Sequence, residues 1–174
     1  MLGYVTAEGR GEADQLIRNV AMRLLKEGVC VAGAVQINIE TDPNRKCEME
    51  LQILTGDGAV RISQDLGALS DGCRLDPDGL ERAVGLAAAG LDRGVEMVII
   101  NKFGKQEIEG RGFRPLIGDA LSAGIPVLTA VGKGHLNGFL DYAQGFAEPV
   151  PCDAEAVYAW AQAMLNTPTT AEKQ

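Results

Sequence analysis

The chain has one histidine, His135, and its four cysteines, Cys30, Cys47, Cys73 and Cys152, include no C-x-x-C pair. A lone imidazole is too little for a tetrahedral zinc site unless thiolates join it. A metal centre would therefore need Cys47, Cys73 and His135 to meet in space, where soft-metal or thiol chemistry would follow. Nothing in their spacing requires that meeting, and in a reducing compartment thiols so scattered read as free rather than bridged. Basic residues are also scarce, 16 Lys and Arg against 24 Asp and Glu, for a formal net charge of -8. Nucleic acid and anionic membranes are both held by cationic surface, so neither is an expected partner. No apolar run approaches the roughly 18 residues of a membrane span. No basic segment followed by an apolar signal core opens the sequence, so the expected location is the cytoplasm.

What is present fits one globular domain: 174 residues, 46% of them hydrophobic, enough for a substantial core. Residues 1–166 read as a single α/β domain, with 167–174 as a polar tail. Apolar runs at Leu2–Thr6, Val29–Ile39, Val95–Ile100 and Ile125–Val131 read as buried strands, the third stopping at Asn101 and Lys102. Cys47–Leu54 alternates apolar and polar residues, and Ala59–Ile62 returns after Thr55-Gly56-Asp57-Gly58, the pattern of a hairpin. Between the strands lie helical stripes. One carries Leu16, Ile17, Val20, Ala21, Leu24 and Leu25 and ends at Gly28. Another starts at Asp76-Pro77 and runs to Gly94, and others span Phe113–Ala123, Leu136–Tyr142 and Ala154–Leu165. Strands alternating with helices predict a mainly parallel sheet with an antiparallel hairpin at one side. Ser63–Asp76 reads as a long polar loop.

The first strand, a glycine-bearing loop and the first helix follow in the order of a phosphate-binding loop, G-x-x-x-x-G-K-[ST]. With Gly11 as the last glycine, Thr6 stands for the first, Glu12 for the lysine and Ala13 for the hydroxyl residue, so this Walker A sequence is degenerate. An anion at position 12 in place of a cation, about 4 Å from phosphate, reverses an interaction of several kcal/mol even at an effective dielectric near 20. Ala13 removes a Mg²⁺ ligand. Gly9 and Gly11 still allow close backbone approach, and Arg10 offers partial compensation. Two readings stay open: an altered anion site, or a plain strand-to-helix turn whose acidic first turn complements the helix dipole.

The second concentration of glycine and charge is Asn101–Arg114, at the carboxyl end of the most apolar strand, where open α/β sheets bind ligands. Lys102, Lys105, Arg111 and Arg114, with Lys133 and His135, form a basic set suited to an oxyanion, Arg by its forked donors and Lys as a point charge. If this edge adjoins the loop at Glu8 and Glu12, the two charge sets converge. They then either bind a small anion or neutralise one another in a vestigial site.

The stretch NKFGK-x-E-x-x-G-R-G-F-R (101–114), with Cys47-Glu48-Met49-Glu50, Ile62–Asp65, Gly72–Pro77 and Pro126–Val131, resembles a bacterial domain-of-unknown-function family whose genes often lie beside molybdate-transport or molybdoenzyme genes. More distantly the chain resembles P-loop nucleoside-triphosphatases of the cancer-related, thermophile-enzyme type, which carry a hairpin after the second strand. That likeness implies a three-layer P-loop-NTPase-like sandwich. Their motif Asp-Glu-x-Gly-Lys-Met-Glu falls in register with Asn101, Lys102, Gly104, Lys105 and Glu107. The Asp that would hold Mg²⁺ is thus an amide, and the Glu that would polarise water is an ammonium, which cannot act as a base while protonated. The resemblance implies a nucleotide or other oxyanion, such as phosphate or molybdate, bound without standard Mg²⁺-dependent hydrolysis by Gly9, Arg10, Gly11, Glu12, Asn101, Lys102, Lys105, Glu107, Arg111 and Arg114, in molybdenum-related metabolism. Two alternatives stand beside it. One is an active triphosphatase in which Glu107 is the candidate catalytic base, and the other a scaffold acting through protein contacts, for instance a homodimer through the hairpin.

Overall fold

The structure, a computed structural model, describes residues 1–9, 11–39, 48–56, 58–64 and 75–167. Its frame is a seven-stranded sheet in the order β4-β3-β2-β5-β6-β1-β7. Strands β1 (Leu2–Val5), β2 (Val31–Ile39), β5 (Met97–Phe103), β6 (Val127–Val131) and β7 (Ala147–Pro149) run parallel. The hairpin β3 (Glu48–Ile53) and β4 (Ala59–Arg61) adds antiparallel to β2.

Period-two alternation splits the core in two. Val98 and Ile100 of β5, with Val127 and Val131 of β6, pack against α2 (Pro77–Ala89), α4 (Arg114–Ser122) and α5 (Leu136–Ala143). Met97, Ile99, Leu128 and Ala130 pack instead against α1 (Glu12–Lys26) and α6 (Ala154–Leu165). Strands buried on both faces need few polar positions, which is why Met97–Ile100 of β5 and most of β6 read as apolar runs. The result is the expected three-layer α/β/α arrangement.

Local chemistry sets the ends of the elements. Asp76 caps α2 by accepting from the Asp78 amide at 3.1 Å, with Pro77 at the first helical position. This helix ends at Ala89, short of the expected Gly94, where Gly90 passes so close to Thr55 that a Cβ would sit 2.4 Å from its methyl. Gly33, at φ +112, brings β2 against β5, and a Cβ there would lie 2.0 Å from the Ile99 carbonyl oxygen.

Two short elements carry no apolar pattern and were not expected: β7, an edge strand containing Pro149, and α3 (Lys105–Ile108). A proline is tolerated at an edge, where no further strand needs its missing N–H. Trp160 of α6 lies flat on Gly3 of β1, where a Cβ would fall 2.5 Å from the ring, and donates its indole N–H to Glu148 of β7.

Candidate functional site

The connection from β1 passes through α1 on one face of the sheet, whereas the connection from the adjacent β6 passes through α5 on the other. Neighbouring strands whose connections part in this way leave a crevice at their carboxyl ends, the usual ligand position in such sheets. Glu8 and Lys133 meet across it, Nζ to Oε1 at 2.7 Å, with both side chains exposed. The hydrogen bond and the charge of Lys133 hold the Glu8 carboxyl below its ordinary range.

Beside this pair, Gly11 enters α1 at φ +78 in the left-handed region, which suits glycine. Glu12 folds back so that its Oε2 accepts from the Gly9 amide at 3.3 Å. Arg10 lies outside the described residues, as do Cys47 and Cys73.

Strands β1 and β5 are not neighbours, because β6 lies between them. The two segments meet nonetheless, through a residue that the sequence reading passed over. Asp14, the third residue of α1, is 8% exposed. Its Oδ1 accepts from Asn101 Nδ2 at 3.0 Å, and its Oδ2 lies 3.7 Å from Lys102 Nζ. Periodicity could have found it, since 14, 17, 21 and 24 fall on the inward stripe of α1 and a carboxylate there needs a partner.

Asn101 and Lys102 do not end β5 as predicted; they belong to it. Between Ile100 and Phe103 the pairing with β6 shifts, three residues of β5 advancing against two of β6. Irregularities of this kind re-aim side chains near the ends of strands. Asn101, 2% exposed, accepts at Oδ1 from the Gln36 amide of β2 at 3.0 Å. Its amide thus joins β2, β5 and α1.

The other basic residues have different surroundings. Lys105 pairs with Glu109 at 3.8 Å. Arg111 donates to Gln106 at 2.9 Å and pairs with Glu109. Arg114 donates to the carbonyls of Glu107 and Ile108, both at 3.2 Å, and its guanidinium sits 4.7 Å from the centre of the Tyr142 ring. Burial pushes the Tyr142 hydroxyl up, against the opposing pull of Arg114. Among the described residues, the side-chain partners of these three cations come from residues 106–109 and α5, not from the loop at Gly9–Ala13.

Glu107, 4% exposed, accepts from the Gly104 amide through Oε2 at 2.9 Å and from the Phe113 amide through Oε1 at 3.1 Å. Gly112 donates to Glu81 at 3.0 Å, and a Cβ on it would lie 2.2 Å from Glu107 Oε1. His135 is half-buried in the 3₁₀ turn Lys133–His135. Among the described residues no group of three or more His, Cys, Asp or Glu is placed to hold a metal, and no helix is long and apolar enough to cross a membrane.

This arrangement is similar to a solved one. The fold matches the crystal structure of THEP1 from the hyperthermophile Aquifex aeolicus with a TM-score of 0.63 at 16% identity, over 96% of this chain and 100% of that one. At that identity the likeness is one of fold, and the fold is P-loop-NTPase-like. In sequence the chain is 33% identical over 150 residues to the Molybdenum import ATP-binding protein ModC 2 of Bradyrhizobium diazoefficiens. The match covers 86% of this chain and 17% of that protein, so the chain spans a small fraction of that relative's length. The family model for the Protein of unknown function family DUF2478 matches residues 2–160, and the chain belongs to that family.

Proposed function

We propose that this chain is a binding protein on a P-loop-like frame. It takes a nucleotide or another small oxyanion, phosphate or molybdate, without Mg²⁺-dependent hydrolysis, and serves an accessory role in molybdenum-related metabolism. One observation carries the reading: Asn101 is held between the Gln36 amide and Asp14, beside a Lys102 that faces the same carboxylate. An amide so fixed supplies no negative charge to recruit a dication, and an ammonium paired to a carboxylate does not polarise water.

The anion's route in is through exposed ion pairs. Contacts such as Lys133 to Glu8 contribute little in water, so an oxyanion replaces the carboxylate on Lys133 at small loss. Glu12 on the Gly9 amide marks the donor that a ligand would take over. Glu107, with both oxygens engaged by backbone amides, we read as a positioning group. The molybdenum context is supported by the name of the ModC 2 relative.

A thermal-shift panel of ATP, GTP, phosphate, molybdate and tungstate, each with magnesium and with EDTA, tests the reading. Stabilisation by at least one oxyanion is expected. No response to any of them removes the small-anion role. Magnesium-requiring phosphate release that disappears in Glu107→Gln replaces the proposal with an active triphosphatase.

A further inference from the structure

We infer that the Lys102 ammonium stands where this site would otherwise need a divalent cation, and that Asp14 is the positioning residue that keeps it there. The inference deepens the oxyanion-binding reading and rests on it for what it says of the ligand. Its first part concerns the chain alone.

The side chain of Asp14 is 10% exposed and that of Lys102 50%, so a largely buried carboxylate has drawn in an ammonium whose other side meets water. A carboxylate at that depth needs positive charge or donors nearby. Among the described residues Asp14 has one of each, Lys102 on Oδ2 and Asn101 on Oδ1.

The direction of the hydrogen bonds rules out an ionised carboxylate at 101. One end faces the Gln36 N–H and must accept; the other faces a carboxylate and must donate. The two ends of an amide do both, whereas an ionised carboxylate only accepts and an ammonium only donates. An aspartate there would keep the first bond and lose the second. Two carboxylate oxygens would then stand about 3 Å apart, which is unfavourable unless a proton or a cation sits between them.

Asp14, Asn101 and Lys102 are therefore a matched set with one negative and one positive charge. A dication entering beside Asp14 would meet the ammonium within a few Å and be repelled. An oxyanion recognised here has its charge met by Lys102, so its affinity does not depend on magnesium. The uncomplexed anion is preferred to its Mg²⁺ complex.

The test uses metal alone before any ligand. Wild-type protein shows no change in melting temperature with Mn²⁺. Asn101→Asp melts about 5 °C lower, through the lost donor and the facing carboxylates. Asn101→Asp combined with Lys102→Ala leaves two carboxylates and no ammonium. It gains about 3 °C when Mn²⁺ is at ~10 times its Kd, and electron paramagnetic resonance shows one bound equivalent. A folded double variant, by circular dichroism, that binds Mn²⁺ no better than wild type overturns the inference. So does wild-type Mn²⁺ binding that vanishes in Asp14→Asn.

The positioning role has its own readout. Asp14→Asn keeps an acceptor for Asn101 and releases Lys102, so the affinity for inorganic phosphate by calorimetry rises about fivefold. Unchanged phosphate affinity refutes the role of Asp14. A protein that binds no oxyanion yet shows the manganese behaviour retires the proposed function and leaves the substitution of ammonium for metal standing.

Discussion

Two loops rich in glycine and charge leave the carboxyl edge of the sheet, and they are held in opposite ways. The loop before α1 is tied from outside: Glu8 to Lys133 and Glu12 to Gly9 are contacts at the surface. The loop at 104–113 is tied from inside by buried Glu107, which takes two backbone amides, while the exposed Glu81 takes a third from the surface. Glycine and charge alone do not separate a recognition loop from a scaffold loop. Here the two loops differ in whether a buried carboxylate closes them.

Substitutions can break this contrast. The largest expected effect is in the inner-tied loop. Glu107→Ala leaves two buried amides without acceptors, which costs about 3 kcal/mol, read as a fall of roughly 6–12 °C in melting temperature. A near-neutral result would mean that this loop is also held loosely. Next comes Gly112→Ala, where a side chain must adopt φ +60 against the anchored Glu107. We expect about 2 kcal/mol of destabilisation by urea unfolding, with an unchanged m-value.

The outer-tied loop should behave differently. Lys133→Ala leaves the melting temperature within about 1 °C of wild type while weakening phosphate binding about fivefold in calorimetry. A change in stability without a change in affinity would merge the two loops into one class. The smallest effect is in pH. Glu8 ionises more readily in the folded chain than its ordinary value of 4.5 implies. Its contribution to stability is therefore present above about that pH and is lost as pH falls through the lowered folded value. A nuclear magnetic resonance titration of Glu8 is expected to show a depressed midpoint that returns to the ordinary range in Lys133→Met.

Much of the frame was legible in the sequence because it rests on periodicity. The ladder of α6 at Val157 and Ala161, the doubly buried run of β6 and the Asp76-Pro77 start of α2 all came through. The edge strand β7 did not, since three residues with a proline carry no pattern. It exists because Val150 and the residues before it find partners along β1. The site was half legible. Asn101 and Lys102 stood out as polar residues after an apolar run, but their partners on β2 and α1 are 65 and 87 residues away in sequence. Asp14 could have been read from its place on the α1 stripe. Glu107, three residues after Gly104 at the start of a short helix, has the spacing of a capping side chain. Its charge suggested chemistry where its position indicated support.

The indole resting on Gly3 gives the protein a built-in optical probe. Trp160 is the only tryptophan, and it touches the strand that feeds the Glu8–Glu12 turn while bonding to the neighbouring edge strand. Its emission is expected to change if a ligand at that turn shifts β1, a measurement that needs no label or mutation.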